Sequence, residues 1–196
     1  REVEHRVHEA ACRIAGRQTT RTFALNALVA ADLALWKLNA LRSGQARWRD
    51  LLPPELREAF APRPGRIVRV PLVTDNVAVD EIRDLARSGH SVLKIKIGHQ
   101  GDPEEMLAAD CRRLTEIHEA LGDVEAPVSY YLDANGRYES KDALWALLEH
   151  ARRGGMIERL VLLEEPFPYG TRIDVSDLPV RVAADESLHS PQDLAE

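Results

Sequence analysis

Three carboxylates stand where a metal or a proton-transfer centre could use them. Tyr131-Leu132-Asp133-Ala134-Asn135, Leu162-Leu163-Glu164-Glu165-Pro166 and Ala183-Ala184-Asp185-Glu186-Ser187 each run from apolar residues into acid. That is the pattern of a buried strand reaching its polar end. Taken singly, each acid has an ordinary explanation: an Asx turn at Asp133, a solvated corner at Glu165-Pro166, a helix cap at Asp185. Taken together they ask for more, because carboxylates on adjacent strand ends converge and repel unless a cation lies among them. Three oxygen donors with room for water and substrate suit Mg2+ better than Zn2+, which prefers His or Cys. His90, His99 and His189 lie near strand ends but lack paired spacing, and are expected to be surface residues.

Two lysines complete the chemistry-bearing set. The stretch 91–98, Ser-Val-Leu-Lys-Ile-Lys-Ile-Gly, has the β-branched, period-two character of a strand. Side chains two apart share a face, so Lys94 and Lys96 point together with Val92, while Leu93, Ile95 and Ile97 take the other face. A lysine pair on a parallel strand either escapes at a sheet edge or lines a polar site. Two cations in one mouth repel each other, so neither is expected to add stability.

The elements that would position these groups follow from periodicity. Strands are expected at 67–74, 91–97, 127–133, 160–164 and 180–185. Helices are expected at 80–88, from Asp102-Pro103 to Leu121-Gly122, and from Ser140 to about Arg153. Strands alternating with helices imply right-handed βαβ units on a parallel sheet, an α/β fold. A β/α barrel places its chemistry at the C-terminal strand ends. Parity agrees: if Glu164 points inward so do Leu162 and Leu160, and if Asp133 does so do Tyr131 and Ser129, with Lys94 and Lys96 entering the same mouth. Between Pro166 and Pro179 there is room for little more than one helical turn, around 174–178, which is short for a crossover.

Upstream, Val3, Val7, Ala10, Ala11 and Ile14 space a first helix. A second, from 23 to about 41, carries Ala24, Ala27, Leu28, Ala31, Leu35 and Leu38 as a stripe expected to be buried, with Trp36 in a core. Residues 43–66, rich in proline, read as a linker.

The ordered set Lys94-Ile95-Lys96, Asp133-Ala134-Asn135, Glu164-Glu165-Pro166 and Asp185-Glu186-Ser187, preceded by the Ala34-Leu35-Trp36 helix, resembles the enolase superfamily. The branch it is most similar to is that of muconate lactonizing enzymes and dipeptide epimerases, within the mandelate racemase/muconate lactonizing enzyme family. The resemblance runs from about Phe23 onward. It implies a partial TIM-type (β/α) barrel preceded by the helical end of an α+β capping domain. Residues 1–65 would be the end of that capping domain plus linker, and 66–196 the first five strands of the barrel, truncated.

The same resemblance implies that Asp133, Glu164 and Asp185 bind Mg2+, with Glu164 rather than Glu165 as the ligand of its pair. Lys96 would be the acid/base and Lys94 its electrostatic partner, with Asn135, Glu165 and Glu186 supporting them. The implied reaction removes the α-proton of a small-molecule carboxylate through an enediolate, as a racemase, epimerase or cycloisomerase. Lys94 and Mg2+ would lower the Lys96 pKa enough for it to act as a base. An acid-sugar dehydratase, or a non-catalytic metal-binding barrel or inactive fragment, are the alternatives.

Composition bounds the rest. Over 196 residues, 44% are hydrophobic and 30% charged, with net charge -6. No basic excess points to nucleic acid. No uninterrupted apolar run approaches the roughly 20 residues of a membrane span, so no membrane partner is expected. Cys12 and Cys111 have no metal or redox spacing, which fits free thiols in a reducing, cytoplasmic setting. A homo-oligomer is expected. A start at Arg1 and an end in Gln192-Asp193-Leu194-Ala195-Glu196 suggest a piece of a longer chain.

Overall fold

The computed structural model describes residues 2–19, 21–45, 48–52, 54–59 and 68–188. The chain divides into two compact units, Arg1–Arg66 and Ile67–Glu196.

In the first unit, α1 (Glu2–Ala15) packs against α2 (Arg21–Arg42), followed by a 3-10 turn at Trp48–Leu51 and α3 (Pro54–Ala59). The expected buried stripe on α2 does not form within this unit: Leu35 is 64% exposed, and Leu38, Ala27 and Ala31 are exposed too. Ala24 and Ala40 are the buried α2 residues among those described, and Trp36 is half-buried. Two helices can bury only the seam between them, so an apolar stripe this wide outruns its partner. By length and composition alone, Ala24–Arg42 is apolar enough to cross a membrane, at a mean hydropathy of 1.2. Asp32 and Lys37 interrupt it, in keeping with the expected lack of an uninterrupted apolar run, and a core-facing helix meets the same test of length and composition.

The second unit is a five-stranded parallel sheet in sequence order. Its elements are β1 (Leu72–Val73), α4 (Val79–Arg87), β2 (Val92–Lys96), α5 (Pro103–Ala120), β3 (Ser129–Asp133), α6 (Lys141–Arg153), β4 (Leu160–Glu164) and β5 (Val182–Ala183). This is the wall of a TIM-type β/α barrel over five strands. Local chemistry starts the two longer helices. Asp102 accepts from the Glu104 and Glu105 amides while Glu105 Oε2 reaches back to the Asp102 amide, a complete capping box with Pro103 at the first turn. Ser140 Oγ accepts from the Ala143 amide at 3.2 Å. The core lies between sheet and helices, where Leu93, Ile95, Tyr130, Leu132 and Leu163 meet Ile82, Leu114, Ile117, Leu144, Leu147 and Leu148. Burying that face leaves the lysine face of β2 to form the mouth.

Three departures from the expected elements have local causes. β1 is two residues long because Pro71 has no amide to give the ladder, though its carbonyl accepts from Lys94 N at 2.9 Å. In β4 the register slips, Tyr130 pairing with Leu160 but Tyr131 with Leu162, so Val161 is the extra residue of a bulge. Register partners share a face, so Leu160 joins Tyr130 in the core instead of following Glu164 inward. Between β4 and β5 no helix forms among the described residues. Asp174 Oδ1 accepts from the Ser176 amide, a local turn that competes with helix, while Phe167 and Leu178 fill the core as loop residues.

Candidate active site

Register places the functional side chains in rows. Lys96, Asp133 and Glu164 are successive partners on one rung across β2, β3 and β4, and Ala183 of β5 completes it. One rung lower stand Lys94, Tyr131 and Leu162. The shared parity of these positions turns them to the side away from the helices.

Asp133 is the hub. It is 1% exposed, and its Oδ2 accepts from Lys96 Nζ at 2.5 Å and lies 2.9 Å from Lys94 Nζ. Its Oδ1 accepts from the Asn135 amide at 3.1 Å, in a turn that puts Asn135 at φ 44°. Burial alone would raise the Asp133 carboxyl, but the two ammonium groups outweigh it and hold the group below its usual range. Lys94 Nζ also pairs with Glu164 Oε2 and sits 4.9 Å from the centre of the Tyr131 ring. Burial opposes its charge, yet Glu164 and Asp133 raise its pKa above that of an ordinary lysine. Tyr131 Oη donates to Glu164 Oε2 at 2.5 Å, and burial together with that bond pushes the phenol up to about 12.

The neighbouring residues divide their tasks. Lys96 Nζ donates to Asn135 Oδ1, and Asn135 Nδ2 donates to Glu186 Oε1 at 2.6 Å. Glu165 turns the other way at φ 39°, buried, its Oε2 accepting from the Asp185 and Ser187 amides and the Ser187 hydroxyl. Glu164 thus faces the mouth while Glu165 braces the segment that carries Asp185. The Asp185 carboxyl is raised by burial and by the negative charges of Glu186 and Glu164, with Lys94 opposing.

The expectation that these lysines add no stability counted only their mutual repulsion. Both ammonium groups pair with Asp133, which would be a buried unpaired charge without them, and that pairing opposes the repulsion.

His99 is not the surface residue expected. Its side chain is largely buried, Nδ1 donating to Asp110 Oδ1 and Nε2 lying 3.1 Å from Asp75 Oδ1. His90 meets the Arg69 carbonyl at 3.2 Å, away from the mouth, and His189 lies outside the described residues. Sequence reasoning missed Asp110, whose signal is a charge on the buried stripe of α5 with Met106, Leu114 and Ile117.

The family described as enolase C-terminal domain-like matches residues 77–196, more than half of the chain. The chain belongs to the enolase superfamily. Within that superfamily the match is to the mandelate racemase and muconate lactonizing enzyme branch. The enolase-superfamily chain also resembles a crystal structure of muconate lactonizing enzyme from Klebsiella pneumoniae, at 19% identity and a TM-score of 0.46, over 63% of this chain. It spans about a third of that protein's length, 32%. No curated protein matches it.

Members of the enolase superfamily typically use Mg2+, and the donor set here suits a hard divalent ion in kind. The carboxylates of Asp133, Glu164, Glu165, Asp185 and Glu186 leave this end of the sheet acidic even with Lys94 and Lys96 among them. Glu186 Oε2 is buried with no hydrogen-bond partner among the described residues. In the arrangement observed, the Lys94 ammonium lies between Asp133 and Glu164, and among the described residues no three His, Cys, Asp or Glu side chains are gathered as a metal cluster.

Proposed function

We propose that this protein is an Mg2+-dependent enzyme that removes the α-proton of a carboxylate substrate to form an enediolate, acting as a racemase, epimerase or cycloisomerase. The observation that carries this reading is the single rung Lys96–Asp133–Glu164 at the C-terminal strand ends, with a second ammonium, Lys94, one rung below.

In this reading Lys96 works as the neutral amine: its ammonium first releases a proton to solvent, and the lone pair on Nζ then takes the α-proton. Asp133 and Asn135 already fix two of its three hydrogen-bond directions, which orients the third toward the mouth. Lys94 keeps its charge, because Glu164 and Asp133 hold its pKa up, and so offers a fixed cation to the oxyanion as it develops. Tyr131 holds Glu164 by its hydroxyl, restricting that carboxylate's rotation. Asp133, Glu164 and Asp185 would hold Mg2+, which when bound supplies Lewis-acid stabilisation of the substrate oxygen. Acid-sugar dehydration begins with the same proton removal and differs in the leaving group that follows.

The test is a panel of amino-acid derivatives, hydroxy acids and unsaturated diacids incubated with the intact protein in D2O, with Mg2+ or with a chelator. Mg2+-dependent deuterium incorporation next to a carboxylate is expected for at least one class. Its absence from all, in a protein that binds Mg2+, favours the binding-only alternative.

A further inference from the structure

The Asp110 carboxylate is wholly buried, yet it lies on α5, outside the mouth. Four donors converge on it. Oδ2 accepts from the Gly98 amide at 2.8 Å and from Tyr138 Oη at 2.6 Å, while Oδ1 accepts from the His99 amide at 3.3 Å and from His99 Nδ1. A buried carboxylate with its lone pairs taken by protein donors is far more rigid than one that shares them with water.

The donors come from the loops that carry the site. Gly98 and His99 come just after Lys96, separated from it by Ile97, whose amide donates to the Asp133 carbonyl at 2.9 Å. Tyr138 closes the loop after β3 that holds Asn135, and its own amide donates to the Pro166 carbonyl beyond β4 at 3.0 Å. His99 Nε2 reaches Asp75, just past β1. Close approach leaves little slack: a Cβ on Gly98, which sits at φ +84°, would lie 2.6 Å from Arg137 Cβ and 3.1 Å from the Ala134 carbonyl oxygen.

We propose that Asp110 is a positioning residue for Lys96: one buried carboxylate locks the loops after β2 and β3 together, and through His99 the end of β1, so that Lys96 Nζ is held against Asp133 and Asn135. The proposal rests on the reading of Lys96 as the acid/base. Asp110 touches no reacting atom. Its effect passes through the spacing of the two loops, and a misplacement on the scale of 1 Å can cost roughly 100-fold in rate.

Tyr138→Phe and Asp110→Asn test it in the intact protein, with Ile82→Val, a buried change on α4 remote from these loops, as a control of reduced stability. Asparagine keeps the shape of Asp110 but cannot accept from all four donors, and phenylalanine removes only the link to the β3 loop. One readout is the rate at which acetic anhydride modifies Lys96 relative to exposed Lys37, read by peptide mass spectrometry. The other is deuterium exchange into a turned-over carboxylate. Tyr138→Phe is expected to raise the Lys96 labelling ratio and to lower kcat about tenfold with KM nearly unchanged, whereas Ile82→Val lowers Tm and moves neither. Should the wild-type protein exchange no substrate, the α-proton reading fails, and the labelling ratio alone still decides the positioning. An unchanged ratio in both variants, a ratio that Ile82→Val shifts equally, or a raised ratio with unaltered kcat each overturns the proposal.

Discussion

Lys94 and Asp133 meet across a one-rung offset: the Lys94 ammonium lies 2.9 Å from Asp133 Oδ2, although its own register partner is Tyr131. The long side chain reaches toward the strand ends, where Asp133 and Glu164 both pair with its ammonium. Its loss should therefore be felt as instability. Lys94→Met is expected to destabilise the metal-free protein by about 1–3 kcal/mol, since Glu164 loses its cation and Asp133 one of two. Thermal melts in the presence of a chelator check this, and an unchanged melting temperature would mean that repulsion between Lys94 and Lys96 cancels their pairing.

The same ammonium competes with a metal. Asp133→Asn removes a charged donor and is expected to weaken Mg2+ binding at least about tenfold, or ~1.4 kcal/mol. Lys94→Met should tighten it, because the cation between Asp133 and Glu164 is gone. Calorimetric titration of Mg2+ distinguishes the two. Equal affinities in wild type and Asp133→Asn would remove Asp133 from the ligand set.

Gly98→Ala tests how closely the loops approach. A positive φ and a short contact with the Ala134 carbonyl make the substitution cost about 1–3 kcal/mol. No rotation of the Arg137 side chain relieves the 2.6 Å contact, which is to its Cβ, and the Ala134 backbone is held by its amide on the Glu164 carbonyl at 3.1 Å. Chemical denaturation measures the loss, and a variant as stable as wild type would show that the loops are free to separate.

Tyr138 supplies a pH prediction. Burial, with Asp110 beside it, raises its pKa well above that of a free tyrosine. The unfolded chain loses this proton near pH 10 and the folded chain only above that, so the stabilisation is complete below pH 10 and is lost as pH rises past it. Tyr138→Phe should flatten the decline of Tm above pH 10. Parallel curves for variant and wild type would place the alkaline sensitivity elsewhere, for example at Tyr130 or Tyr131, whose pKa values are also raised.

Much of the mouth was legible because period two is a rigid rule. Lys94 and Lys96 share a face whatever surrounds them, and runs ending in acid locate Asp133 and Glu164 at the ends of β3 and β4. The bulge at Val161 was not legible, since a bulge residue looks like any other strand residue until a partner shows the missing pairing. Nor was the Asp110 network. Its members are 12, 11 and 28 residues apart along the chain, and only folding brings them to one point. The α2 stripe was read as buried because its spacing is that of a core-facing helix, but spacing cannot supply the surface that would cover it.

The central claim is that Lys96 is the base and Lys94 a fixed charge, and it is tested most directly by deuterium incorporation from D2O into a turned-over carboxylate, compared across wild type, Lys96→Ala and Lys94→Ala. Loss of a general base is worth about 10²–10⁴-fold, so Lys96→Ala should reduce exchange by at least that range. Lys94→Ala should leave slow exchange, since part of the charge stabilisation survives without it. Exchange that proceeds at the wild-type rate in Lys96→Ala would contradict the account.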